Sequence, residues 1–176
     1  MNDLVPLKDF TPADLELWIQ KAGQPAYRAR QLLKWIYAQN VEDFQKMTDV
    51  SKDFRGWLEQ HARIPSVMRE KVLTDTDGTR KLVFRLQDGE RIESVLIEEE
   101  RRLTLCVSSQ VGCALKCRFC LTGEKGYRRN LSAGEIVDQI CAARRELGPE
   151  ERITNLVFMG MGEPLANLQQ VAKALE

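Results

Sequence analysis

Apolar residues fall into two rhythms along the chain, and the change comes near Ser66. Before it, Leu15, Trp18 and Ile19, then Leu32, Leu33, Ile36 and Tyr37, then Phe54, Trp57 and Leu58 recur three and four residues apart. That spacing puts each group on one face of an amphipathic helix. Thr11-Pro12-Ala13-Asp14 is a helix start, with a hydroxyl cap, a proline at the first helical position and an acid in the first turn. Gly23 is a stop signal and Ser51 a second candidate cap. After Ser66 the period becomes two. Residues 67–73, 81–86, 92–97 and 103–108 read as strands, separated by Asp77-Gly78, Asp88-Gly89 and an acidic run at 98–100. Asp-Gly between alternating runs predicts tight hairpins, hence an antiparallel meander.

Beyond the meander the rhythm changes again. Residues 132–147 predict a helix with Ile136, Val137, Ile140 and Cys141 on one face, 153–159 a buried strand, and 166–175 a second helix. This alternation is that of a parallel βα barrel. The predicted fold is α+β passing into α/β: a helical region over 1–62, a β-meander over 63–100, and the first βα units of a partial parallel barrel over 101–176.

Composition narrows the class without defining it. Apolar residues make up 43% and charged residues 30% of 176, the balance of a soluble globular protein. No apolar run approaches the roughly 20 residues that span a bilayer, and Met1–Val5 begins no basic-then-apolar leader. No membrane partner is expected, and the cytoplasm is the expected compartment. Five cysteines, an odd and clustered set, argue against a secreted disulfide framework. With 26 basic and 26 acidic residues, net charge predicts no nucleic-acid partner, but its distribution says more. Between residues 101 and 130, Arg101, Arg102, Lys116, Arg118, Lys125, Arg128 and Arg129 stand against a single acid, Glu124. A solvated loop accounts for such a collar, and so does a phosphate-rich substrate.

The cysteines carry the chemistry. Cys113, Cys117 and Cys120 stand as C-x-x-x-C-x-x-C. Thiolates suit iron–sulfur clusters, zinc and copper(I). A closed zinc site needs four ligands, and the single histidine, His61, is far upstream. Three thiolates on a four-iron cluster leave one iron open, which is a catalytic arrangement. A zinc ribbon completed by Cys106 or Cys141 remains the alternative at this point.

The triplet, together with Arg91-Ile92-Glu93-Ser94-Val95, the run from Leu105 to Cys113, and Asn155-Leu156-Val157-Phe158-Met159-Gly160-Met161-Gly162-Glu163-Pro164, resembles the RlmN/Cfr group of radical S-adenosylmethionine RNA methyltransferases. The helical N-terminal region is also similar to the RlmN type. The resemblance spans essentially the whole chain and about the first half of a full-length member. It implies a [4Fe-4S] cluster on Cys113, Cys117 and Cys120, with S-adenosylmethionine contacted by Gly162 and Glu163. It also implies Glu93 as proton acceptor, and Cys106 in a transient disulfide with a methyl-carrying cysteine. No cysteine follows Cys141, so the carrier is missing and the chain is expected to be a fragment inactive by itself. The implied reaction methylates carbon 2 of adenosine in ribosomal RNA and transfer RNA, with a flavodoxin-type electron donor. Carbon-8 methylation, a radical enzyme acting on a peptide, and a zinc-bound nucleic-acid module are the rivals.

Residue pattern bears on two of these roles. Alternation puts Glu93 beside Val95 and Ile97, where a carboxylate is either paired with a cation or holds a raised pKa suited to a base. Cys106 falls on the strand face opposite Leu103, Leu105 and Val107, whereas Cys141 sits with aliphatic residues as inert core.

Overall fold

A computed structural model describes residues 4–176. The first three residues, where the 1–62 region and the stretch weighed as a leader both begin, lie outside the described residues. The chain divides into two compact units, one up to Pro65 and one over Ser66–Leu175.

The first unit is helical. Strand β1 (Val5–Pro6) pairs in parallel with β2 (Ala62–Arg63), tying the ends of the unit together. Between them lie α1 (Pro12–Lys21), α2 (Tyr27–Leu33) and α3 (Lys52–His61). Thr11 caps α1 in a reciprocal box: its hydroxyl accepts from the Asp14 N–H, and the Asp14 carboxylate accepts from the Thr11 N–H. Gly23 ends that helix region at φ +73°, a left-handed conformation that glycine adopts without Cβ strain. Ser51 occupies the cap position of α3, but its side chain makes no capping bond. After α2 the chain runs on as a π-helical turn over Lys34–Ala38, which the hydrophobic spacing did not distinguish from ordinary helix. Leu15, Ile19, Leu32, Ile36, Phe54 and Leu58 are buried together in one core.

The second unit is built on a five-stranded sheet. Strands β3 (Met68–Thr74), β4 (Arg80–Arg85), β5 (Arg91–Glu99) and β6 (Arg102–Cys106) form the expected meander. Gly78 and Gly89 turn its hairpins at φ +86° and +88°. A short antiparallel pair, β7 (Gln110–Val111) with β8 (Arg129–Asn130), brackets the cysteine segment and a one-turn helix α4 (Leu121–Glu124). Helix α5 (Ala133–Arg144) follows, with a second reciprocal capping box between Ser132 and Glu135. Strand β9 (Asn155–Val157) then pairs in parallel with β6. The chain continues through a 3₁₀ turn at Pro164–Asn167 to α6 (Leu168–Leu175).

The meander and the cysteine-bearing segment share one sheet and one compact unit. One expectation is corrected here: the strand read as buried, β9, is an exposed edge, with Leu156 46% exposed. Its β-branched and aliphatic composition signals strand, but no described element covers it.

One sheet face, carrying Leu82, Phe84, Ile92, Leu96, Leu103 and Leu105, joins Ile136, Ala142 and Ala143 of α5 in the core. The opposite face carries Leu73, Lys81, Val95, Cys106 and Val157 in one continuous cross-strand row. Among the described residues, no helix is long and apolar enough to cross a membrane.

Candidate functional site

Strands β6 and β9 run parallel, and the segments leaving their carboxyl ends are the cysteine segment and the Gly160–Pro164 turn. Open α/β sheets place their ligand sites at such carboxyl ends. The two segments are hydrogen-bonded to each other. Ser109 N and Gln110 N donate to Met161 O at 2.8 and 3.2 Å. Met161 N donates to Ser108 Oγ at 2.8 Å, and Glu163 N to Gln110 Oε1 at 2.9 Å. The glycines are there because backbone meets backbone. A Cβ on Gly160 would stand 2.7 Å from Val107 O, and one on Gly162 (φ +98°) would stand 2.5 Å from Gln110 Cβ. The Glu163 carboxylate accepts from Leu165 N at 3.0 Å, capping the 3₁₀ turn.

Beneath this junction lies a buried polar network that sequence patterning missed. Gln139 on α5 accepts from Ser94 Oγ and Ser108 N, both at 2.8 Å, and donates to Ser108 O at 2.9 Å. Ser108 Oγ donates to Glu93 O at 2.6 Å. Asn167 Nδ2 donates to Ser109 O and Leu131 O at 2.8 and 2.9 Å. A buried Gln and Asn on otherwise apolar helix faces are the only local signal, and their partners lie 31–58 residues away.

Glu93 stands on the open sheet face. Ile92, Ser94 and Leu96 of its strand are buried, while Ile97 on the Glu93 side is 38% exposed. Of the two states its position allows, the paired one is observed: Lys81 Nζ lies 3.4 Å from Glu93 Oε2. Cys106 lies opposite Val95, so Glu93 is its diagonal neighbour on the same face, about 7–8 Å away by strand geometry. Glu93 also lines a cleft of about 410 Å³ with Gly112, Met161, Lys125 and Arg128. Cys106 is on the face expected, yet only 6% exposed. Burial pushes its thiol up, partly offset by the Met159 backbone N–H directed at it.

The cysteine triplet is less gathered. Cys113 is buried, Cys117 exposed and Cys120 half-buried, and all five cysteines are free thiols. No group of three or more His, Cys, Asp or Glu side chains stands close enough to hold a metal ion among the described residues. The donor set itself fits an iron–sulfur cluster: three thiols on one loop, with the Gly123 and Thr122 backbone N–H groups holding Cys120 below the ordinary thiol range. Cys141 is buried on α5.

The basic collar is smaller than its count. Arg129 is engaged by Asp88 (2.7 Å) and Glu135 (2.7 Å), and Arg102 by Glu99 (3.4 Å). Arg101 precedes β6 and Arg102 opens it, at the end away from the cysteine segment. Lys116, Arg118, Lys125 and Arg128 remain, all exposed, on the cysteine loop.

Comparison with known proteins fits this geometry. Residues 107–176 match the model of the radical SAM superfamily, and residues 5–64 that of the ribosomal RNA large subunit methyltransferase N-terminal domain. The crystal structure of a radical SAM methyltransferase from Sphaerobacter thermophilus superposes with a TM-score of 0.89 at 42% identity, over 97% of this chain and 51% of that one. The chain is thus a member of the radical SAM superfamily and shares the fold of that neighbour over nearly all its length. More narrowly, it belongs to the RlmN family. It is 52% identical over 171 residues to the dual-specificity RNA methyltransferase RlmN of Syntrophobacter fumaroxidans, and 51% identical over 172 residues to that of Geotalea uraniireducens. These matches take in 97% and 98% of the chain, which spans about half the length of the curated relatives, 50% and 49%.

Proposed function

We propose that these residues form the cofactor-binding part of an RNA methyltransferase that replaces the carbon-2 hydrogen of an adenosine by methyl, in ribosomal RNA and in transfer RNA. One observation carries this. The Gly160–Pro164 turn is strapped to Ser108, Ser109 and Gln110, which lead directly into Cys113, and Glu93 faces the adjoining cleft. Cys113, Cys117 and Cys120 would hold a [4Fe-4S] cluster, and Gly162 and Glu163 the methionine part of S-adenosylmethionine. That pair of groups supplies one-electron chemistry, which an amidine carbon of low nucleophilicity needs.

The chain's own residues then have distinct tasks. Gly162 brings backbone close to a ligand where a side chain would collide with Gln110. Glu163, fixed by Leu165 N, offers carboxylate charge to an ammonium. Glu93 receives the proton that leaves carbon 2, with Lys81 holding the carboxylate toward the open face. Cys106 would form a transient disulfide with a methyl-carrying cysteine supplied from outside these 176 residues. Strands β6 and β9 are the first two strands of a parallel barrel, and residues 1–62 an RNA-binding accessory domain. A flavodoxin-type electron donor and a cytoplasmic location belong to the same proposal.

Anaerobic loading with iron and sulfide tests it. The chain should take up about four of each, and alanine at Cys113, Cys117 or Cys120 should abolish the brown absorption. Cys141→Ala should keep it. Stoichiometric zinc in place of iron and sulfide would refute the assignment.

A further inference from the structure

Two cations of the cysteine loop reach the cleft that holds Glu93: Lys125 and Arg128 both line it. Neither is joined to an acid by an ion pair among the described residues, unlike their neighbour Arg129. The other charged lining groups are largely spent within the protein. Arg91 pairs with Glu70 at 2.6 Å and Glu93 with Lys81, leaving Glu90 as the acid without an ion pair. The segment bearing the two cations is firmly footed. Arg128 N donates to Val111 O at 2.9 Å, and Gly112 and Gly126 pack so closely that a Cβ on Gly112 would stand 1.8 Å from Gly126 O. A cleft of about 410 Å³ falls within the usual range for a small ligand, about 300–1,000 Å³, and accommodates one nucleotide-sized group.

We propose that Lys125 and Arg128 clamp an RNA phosphate at the mouth of this cleft, directing the attached nucleoside toward Glu93. This rests on RNA being the substrate, and it assigns the two residues that set its backbone path. Exposed unpaired cations beside a single nucleotide-sized cleft suit one phosphodiester, and a short, rigid mount limits the entropy lost on binding. Arg128 offers a forked donor and Lys125 a point charge, so they are not equivalent.

The test is the salt dependence of binding of a single-stranded RNA oligonucleotide to the 176-residue chain. Each phosphate neutralised on a single strand contributes about 0.7 to the slope of log K against log salt. Lys125→Gln with Arg128→Gln, which frees that one phosphate, should lower the slope by about 0.7 and weaken binding roughly tenfold at low salt. Glu90→Gln, which removes the unpaired acid, should tighten binding, and that result decides the matter if the double variant does not fold. Arg101→Gln, beyond the other end of β6, should leave the slope unchanged. An unchanged slope in the double variant, an equal loss in Arg101→Gln, or no RNA binding at all would overturn the clamp. Iron and sulfide uptake is scored separately, so failure of the clamp and failure of the methyltransferase assignment give different results.

Discussion

The turn at Gly160–Pro164 and the loop between Cys113 and Cys120 leave neighbouring parallel strands, yet they are held in opposite ways. In the turn, Gly160, Met161 and Glu163 each donate a backbone N–H to the segment 107–110. In the loop, residues 114–119 are exposed, Phe119 at 93%, and the ordered bonds are Cys120 N to Cys117 O and Gly123 N to Cys120 O, both 3.0 Å. The turn proposed to meet the organic ligand is prebuilt by the polypeptide. A cluster on the three cysteines would instead have to gather its own ligands, so its binding energy would also be folding energy for this loop.

The largest effect should come from placing a side chain in the prebuilt half. Gly162→Ala puts a Cβ 2.5 Å from Gln110 Cβ at a φ of +98°. The left-handed penalty is about 1–2 kcal/mol, and overpacking adds about 1–3 kcal/mol. Thermal or denaturant unfolding should show a loss of roughly 3 kcal/mol. Leu115→Ala in the loop, where the side chain is 57% exposed, should change stability by less than about 0.5 kcal/mol. Equal losses at the two positions would erase the contrast.

Next in size is the support beneath the turn. Gln139→Leu removes both the acceptor for Ser94 Oγ and Ser108 N and the donor to Ser108 O. Buried groups left without partners cost about 1–3 kcal/mol, so a loss of roughly 2 kcal/mol is expected. The diagnostic is local: hydrogen exchange at Met161, whose N–H is held by Ser108 Oγ, should speed up more than exchange in the meander. A uniform increase would mean that Gln139 stabilises the unit without holding the turn.

Much of this contrast lay within reach of the sequence because it is local. Thr11 with Asp14 and Ser132 with Glu135 announce their capping boxes within four residues, and Asp77-Gly78 and Asp88-Gly89 announce their hairpins within two. What escaped was set by partners distant in the chain. The exposure of β9 depends on what pairs beside it, and the spacing of Asn155–Val157 carries no trace of that. Glu93 looked like a carboxylate on an apolar face, but which face is buried depends on where α5 packs. The collar shrank because Arg129 found Asp88, 41 residues upstream, and no count of charges foresees that.

The smallest effect concerns the two kinds of cysteine. Cys106 sits at the centre of the open face, between Val95 and Val157, yet it is only 6% exposed and its thiol is pushed above the ordinary value of 9.0 by burial. Cys117, in the loop, is exposed. The nucleophile toward an alkylating agent is the thiolate, so a raised pKa lowers the reactive fraction at any pH below it, and burial slows access further. Iodoacetamide should therefore label Cys117 roughly tenfold faster than Cys106 in the native chain near pH 8, as read by peptide mass spectrometry. As pH rises past 9.0, Cys106 labelling should keep increasing after an ordinary exposed thiol has levelled off. Unfolding in urea should bring the two rates together, because both the burial and the pKa shift belong to the folded sheet. Equal native rates would mean that the neighbours of Cys106 do not shield it.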